Sequence, residues 1–401
     1  MTGGPRRRST PCGWALACVL FTAPAGAHDD AAITARLEAI RANAKLPALG
    51  GAIVTSEGLE GAWVTGVRAA GHDEKVAVGD LWHLGSCTKS MTATLIALLV
   101  ERGDLTWEMK LPELLPDLAD SVHDDYVDVT LVELLTHRAG VPSDLSRDGL
   151  WGRCWKREGT PTEQRRMLTK TLLEWGPVHA PRTKYLYANA GFAIAGHVAE
   201  TVMGKPYEAL MQELLFSPLG ITTAGFGAPG TTAAPAAPSL PTVIDAPRGH
   251  DGAGNPIEPG PQADNPPAIA PAGTCHMSLA DWGRYVSLHL RGAKGDVKVG
   301  DVTLHADTMK KLHTRFDGPG ETYAMGWVVA KRDWAGGDGT CWWHNGSNTM
   351  WFCACWLAPN DGFAVLSTTN QVGTTGQKAT DDVASLLVQE HRARIGSADV
   401  R

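Results

Sequence analysis

The chain has 401 residues, 43% of them hydrophobic and 20% charged, with a formal charge of −7 at pH 7. This is a globular composition, long enough for two domains or one two-lobed unit, and not that of a disordered or fibrous chain. With no basic cluster after the first eight residues, nothing in the charge pattern points to nucleic acid or another polyanion as a partner.

The first residues read as an export signal. Arg6, Arg7 and Arg8 form a charged start, Gly13 to Ala23 an apolar run, and Ala25-Gly26-Ala27 offers small residues for cleavage after Ala27. The run is too short to span a bilayer and no other candidate span follows, so the mature chain is expected to be periplasmic or secreted. The paired arginines leave the twin-arginine route open beside the general secretory one. Six of the eight cysteines lie beyond residue 27: Cys87, Cys154, Cys275, Cys341, Cys353 and Cys355. They are too few for a disulfide scaffold in so long a chain and are expected to be mostly packing residues.

Ile33, Leu37 and Ile40 predict an amphipathic helix over Ala31 to Lys45. Two strand-like runs, Gly51 to Thr55 and Gly61 to Arg68, flank the turn Ser56-Glu57-Gly58. Then comes Leu84-Gly85-Ser86-Cys87-Thr88-Lys89-Ser90-Met91-Thr92, which places a serine and a lysine three residues apart where an apolar-periodic helix begins. The helix continues to Glu101, apolar almost all round and therefore buried, and Gly103 ends it. Positions i and i+3 share a helix face, so the Lys89 amine can reach the Ser86 hydroxyl. Serine becomes a useful nucleophile when a base lies within hydrogen-bond reach, and a helix N-terminus offers N–H groups and positive dipole to an oxyanion. By itself the pair also fits a helix cap followed by a solvated lysine.

Residues Leu131 to His137, Pro161 to Trp175, Ala190 to Val202 and Tyr207 to Leu215 read as helices. The stretch 226–273 is rich in Gly, Pro and Ala, and a loop of that length suggests a functional lid or a wrap over the surface. Ser278 to Leu290 is helical, with Ser278 as N-cap and Asp281 at N3. Strand-like runs follow at Tyr323 to Lys331, Cys341 to His344, Met350 to Leu357 and Phe363 to Thr368, then a helix from Lys378 to Arg392. Sheet at both ends with helices between implies an α/β (α+β) fold: a discontinuous antiparallel-sheet domain (28–85 and 275–395) with an inserted helical domain (86–274) and a cleft between them.

Two later motifs give the serine its context. Tyr187-Ala188-Asn189 is the only Y-x-N among six tyrosines and stands just before a helix, where its side chains project from a loop. His344-Asn345-Gly346 ends a strand-like run late in the chain. The order Ser86-x-x-Lys89, Tyr187-x-Asn189, His344-x-Gly346 resembles the penicillin-recognising serine hydrolases, nearest the branch of class C β-lactamases, D-alanyl-D-alanine peptidases, D-aminopeptidases and related esterases. The flanks agree: Leu81 to Gly85, Leu134 to Pro142, Ala190 to Gly196, and Pro271-Ala272-Gly273 leading into Ser278 to Asp281. The resemblance covers about residues 32 to 392 and implies a β-lactamase/transpeptidase-like fold.

The resemblance also implies roles. Ser86 is the acyl-accepting nucleophile and Lys89 receives its proton, which requires a lysine made less basic by its surroundings. Tyr187 relays protons to the leaving group, and either it or Lys89 is the base. Asn189 hydrogen-bonds the substrate flank, and the N–H groups of Ser86 and Ser347 form an oxyanion hole beside Gly346. No cofactor or metal is implied. Where class C β-lactamases carry lysine, this chain has His344, and a histidine near its reference pKa is mostly neutral at pH 7. Such a histidine resembles the peptidase, aminopeptidase and esterase members, and the stretch after it lacks the second glycine common among them.

Other constellations are more ordinary. Cys353 and Cys355 alternate on one strand and face the same way, and with Cys341 and His344 they read as core packing before they read as zinc ligands. If the turn centres near Ser347, Cys341 falls opposite Cys353 and a bridge becomes possible. His137 reads as a turn brace. Trp342, Trp343, Trp351 and Trp356 crowd the late strands as core and pocket lining. The expected function is an exported serine hydrolase acting through an acyl-enzyme at Ser86 on a small-molecule ester, amide or D-amino-acid peptide. A β-lactamase or D-alanyl-D-alanine carboxypeptidase and a non-catalytic binding protein on the same scaffold are the alternatives.

Overall fold

The computed structural model describes Met1 and residues 29–231, 244–317 and 322–398; the expected export signal lies, Met1 apart, outside them. Helix α1 (Asp30–Ala44) starts where the Asp29 carboxylate accepts the Ala32 N–H, and it buries Ile33 and Leu37. Strands β1 (Ala48–Thr55) and β2 (Gly58–Gly66) form the expected hairpin.

They belong to a six-stranded antiparallel sheet in the order β6-β7-β8-β9-β1-β2, where β6 is Val328–Lys331, β7 Thr340–Ser347, β8 Phe352–Ala358 and β9 Phe363–Thr369. Helices cover both faces, as alternation along β1 shows. A methyl on Gly50 would touch Leu279 at the start of α5 (Leu279–Gly292), whereas one on Gly51 would run into Val383 and Leu387 of α6 (Thr374–Ala398). The α6 side closes a smaller core with Ile33, Leu37, Phe363 and Val365. The larger core surrounds α2 (Thr88–Glu101), buried from Thr88 to Leu99. That is what a helix apolar on every side requires.

Helix α4 (Asn189–Met203) packs against α2, and α3 (Pro161–Trp175) packs against α4. α3 starts where expected because Thr160 and Glu163 close a capping box around Pro161, and positive-φ Gly176 follows its last residue. Ser278 caps α5 as expected, accepting the Asp281 N–H. A small second sheet in the order β3-β5-β4 joins Leu81–His83, Cys275–Ser278 and Gly225–Phe226. These strands of two to four residues are too short to show a period-2 pattern.

Two expectations are corrected. The strand expected from Tyr323 begins only at Val328, because positive-φ Gly326 turns the chain; Tyr323 keeps a single bridge to Val328. The β7–β8 turn centres between Thr349 and Met350, pairing Ser347 with Phe352. Cys353 therefore lies opposite Gly346, and Cys341 lies on the same strand five residues earlier, so no Cys341–Cys353 bridge can form. All six cysteines beyond the amino-terminal segment are free and buried. No helix of the described residues is long and apolar enough to cross a membrane.

Candidate active site

Ser86 sits in a single 3₁₀ turn, Gly85–Cys87, that feeds directly into α2. Gly85 has φ +46°, and a β-carbon there would lie 2.2 Å from the Ser347 nitrogen. The turn and the end of β7 therefore touch backbone to backbone, which only glycine permits. Thr88 ties the turn down: its hydroxyl donates to the Gly85 carbonyl at 2.7 Å and accepts the Cys275 N–H at 3.1 Å.

One turn into α2, Lys89 Nζ lies 3.0 Å from Ser86 Oγ, 2.8 Å from Asn189 Oδ1 and 2.7 Å from the Ala272 carbonyl oxygen. Lys89 is fully buried, no partner carries charge, and burial pushes its pKa well below the ordinary lysine value. A neutral amine has two N–H groups and one lone pair. Asn189 Oδ1 and the Ala272 carbonyl can only accept, so they take both N–H groups, and the lone pair is left facing the Ser86 hydroxyl.

Tyr187 completes the group. Its ring lies 4.7 Å from Lys89 Nζ, and burial, only partly opposed by the neighbouring Ser86, raises its pKa, so its hydroxyl stays protonated. His137 holds the stretch that carries it: the His137 carbonyl accepts the Leu186 N–H and its Nδ1 accepts the Ala188 N–H, one bond on each side of Tyr187. The ring stands 4.3 Å from the Tyr187 ring. The turn-bracing expectation for His137 agrees with these bonds.

His344 also reaches the site, 6.4 Å from Tyr187 between ring centres, but both its nitrogens are engaged. Nδ1 donates to the Asn345 carbonyl, so Nε2 must accept the Tyr323 hydroxyl at 3.0 Å. Burial, with the nearby Lys89, takes its pKa down to about 3. The strand thus brings a neutral ring, already satisfied, to the place where class C β-lactamases carry lysine. Gly346 packs on the Leu84 carbonyl with no room for a side chain, and Ser347 follows it, partly exposed.

Ser86, Lys89, Tyr187, Asn189, His344, Gly346 and Ser347 are therefore brought together. Tyr323 and the Ala272 carbonyl are the additions that sequence reasoning did not identify. Ala272 lies in a flank quoted for its resemblance, and the Ala272 contact is through backbone, which no residue type reveals. A cavity of about 220 Å³ opens beside Asn189, lined by Asp144, Leu145, Trp151 and Ile269 among others. The Asp144 carboxylate accepts bonds from Ser146 N–H and Oγ, which hold its pKa below the usual range. Among the described residues no cluster of metal-ligating side chains occurs.

Comparison with known proteins agrees with this arrangement. The Beta-lactamase family model matches residues 33–390. Penicillin-binding protein 4 of Amycolatopsis lactamdurans is 26% identical over 343 residues, 84% of each chain. An unguisins hydrolase of Aspergillus violaceofuscus is 28% identical over 193 residues, which is 44% of this chain and only 31% of that protein's length. The solved D-alanine carboxypeptidase AmpC from Burkholderia cenocepacia superposes with a TM-score of 0.66 over 88% of this chain and 98% of that one. At 20% identity, that likeness speaks for the fold alone.

Proposed function

The chain belongs to the Beta-lactamase family of serine hydrolases, and we propose that it forms an acyl-enzyme at Ser86 from carboxylic esters or small amides, D-amino-acid peptides included. The observation that carries this reading is the bonding of Lys89: two N–H groups spent on acceptors and a lone pair on the Ser86 hydroxyl.

In the acylation step Ser86 Oγ attacks the substrate carbonyl carbon as its proton passes to Lys89. The carbonyl oxygen becomes an oxyanion between the N–H groups of Ser86 and Ser347. The tetrahedral intermediate then expels the leaving group, which takes the Tyr187 proton, and Lys89 restores that proton. Tyr187 is the relay and Lys89 the base, since a tyrosine whose pKa is raised holds its proton in the resting enzyme. Water repeats the sequence on the acyl-enzyme and releases the acid. Asn189 orients Lys89 through Oδ1 and leaves its amide N–H to the substrate flank.

The same geometry favours esters and amides over β-lactams and peptides ending in a carboxylate. His344 is neutral with both nitrogens engaged, so the strand offers no cation to hold a carboxylate, and the pocket beside Asn189 carries the anionic Asp144. The division into a discontinuous sheet domain and a helical domain belongs to this proposal, with Ser86 and Lys89 at the junction. So does export after cleavage at Ala27.

The test offers a fluorophosphonate probe, a fluorescent penicillin and a panel of short esters and D-amino-acid amides to wild type and Ser86→Ala. The expected result is fluorophosphonate labelling and ester or amide turnover that both vanish in the variant, with weak penicillin labelling. Labelling or turnover that survives Ser86→Ala refutes the nucleophile; absence of both in wild type refutes the catalytic reading.

A further inference from the structure

The long Gly- and Pro-rich stretch contributes one buried carboxylate to the neighbourhood of the site. Asp264 is 4% exposed, and its Oδ2 lies 2.9 Å from Nε2 of His83, which is fully buried. On its other ring nitrogen, His83 Nδ1 accepts the Gly85 N–H at 3.1 Å. A backbone N–H can only donate, so the ring proton sits on Nε2 and is given to Asp264. An aspartate–histidine pair can activate a nucleophile, but here the far nitrogen is spent on the backbone. The pair is a strut, and it ends on the residue before Ser86.

The other oxygen of the same carboxylate works in the opposite direction. Asp264 Oδ1 accepts the Asn348 amide at 3.1 Å, and that amide also donates to the Ala263 carbonyl at 3.1 Å. Asn348 Oδ1 in turn accepts the N–H groups of Met350 and Trp351, each at 3.2 Å. Asn348 therefore holds the turn that follows Ser347. That turn needs holding, since Thr349 adopts φ +75°, a left-handed conformation that β-branched residues avoid. Here the chain lacks the glycine that would adopt it without strain.

We propose that Asp264 is the positioning residue of the oxyanion hole, its two oxygens fixing the Ser86 turn through His83 and the Ser347 end of β7 through Asn348. The two N–H donors come from segments more than 250 residues apart, and a third segment sets their spacing. This rests on the reading of Ser86 and Ser347 N–H as the oxyanion donors.

Asp264→Asn tests it with little change of volume. A carboxylate accepts on both oxygens, whereas an amide presents NH₂ on one side, so either His83 or Asn348 meets a donor instead of an acceptor. Loss of a whole oxyanion donor costs about 10²–10³ in kcat, and displacement of one is expected to cost about 10–100-fold. KM for a nitrophenyl ester should stay within about threefold, because the ground-state carbonyl leans on the hole far less than the oxyanion does. Phenylboronic acid gives a second readout. Ser86 Oγ donates a lone pair to boron, its proton passes to Lys89, and the tetrahedral adduct places an oxygen in the hole, so Ki should rise by the same factor as kcat falls.

A kcat and a boronate Ki both within twofold of wild type overturn the proposal, as does a loss carried by KM alone. Asn348→Ala, which cuts one arm, should show the same paired signature and serves if Asp264→Asn does not fold; an unchanged kcat in that variant is equally fatal. Ser86→Ala separates the two levels. Turnover surviving in it defeats the reading of Ser86, whereas a dead Ser86→Ala beside a fully active Asp264→Asn defeats only the role of Asp264.

Discussion

Replacing Lys89 with methionine keeps an unbranched apolar side chain as far as Cε, with sulfur in place of Cδ, and removes the amine nitrogen. The structure separates two consequences. For chemistry, the lone pair 3.0 Å from Ser86 Oγ disappears, and a positioned base contributes about 10²–10⁴ in rate. At 1.36 kcal/mol per factor of ten, this raises the barrier by roughly 3–5 kcal/mol. For stability, the buried Ala272 carbonyl loses its donor, at a cost of about 1–3 kcal/mol, partly offset because a buried amine no longer has to be desolvated. Asn189 is exposed and can turn to water. Steady-state kinetics on a nitrophenyl ester across pH, with urea unfolding alongside, reads both. In wild type the rate should fall as pH drops through the Lys89 pKa, and that acid limb should lie well below the ordinary lysine range, because burial lowers the folded value. In Lys89→Met the limb should vanish with the rate. A variant keeping more than about a tenth of wild-type kcat, or keeping the same acid limb, would refute Lys89 as the base.

Tyr187→Phe should cost an amide substrate about 10²–10⁴ in kcat and a nitrophenyl ester far less, since nitrophenolate departs without a proton; equal losses on the two would remove the relay role. Glu200 should contribute to acid stability. Burial raises its pKa, yet bonds from His197 and Arg165 outweigh burial and hold it at about 2, below the ordinary 4.5. A carboxylate depressed in the folded state stabilises above its unfolded pKa and loses that contribution as pH falls through the folded value. Roughly 3 kcal/mol should therefore drain away between about pH 4.5 and 2. Urea titrations of wild type and Glu200→Gln at several pH values in that window check it, and parallel slopes for the two would disprove it.

What could be read from the residues is what is written along one element. The pair Ser86 and Lys89 follows from i, i+3 geometry where one helix begins; the start of α3 follows from Thr160, Pro161 and Glu163; the cap of α5 follows from Ser278 and Asp281. What could not be read depends on convergence from distant segments. Tyr323 matters because it meets His344, and no spacing relates the two. The Cys341–Cys353 pairing failed because register is set by where the turn centres, and Asn348, which makes that turn, makes it with Asp264 from a loop without periodicity. His137 was legible as a brace but not as the brace of Tyr187, since its bonds are to the backbone at 186 and 188.

Substrate choice in such a site comes down to where charge is missing. A carboxylate beside the scissile bond needs a cation to compensate its lost hydration, and a lysine on β7 would be placed to supply one. His344 instead sits between the Asn345 carbonyl and the Tyr323 hydroxyl, and gaining a proton would require Tyr323 to turn its hydroxyl away in a buried setting. Burial and the neighbouring Lys89 oppose the same step. Tyr323 thus does more than pack, because by donating to Nε2 it fixes the ring in its neutral form. On the proposed reading Asp144, in the pocket beside Asn189, adds negative charge there, so turnover of an acyl group bearing an amine or no charge should exceed that of one bearing a carboxylate.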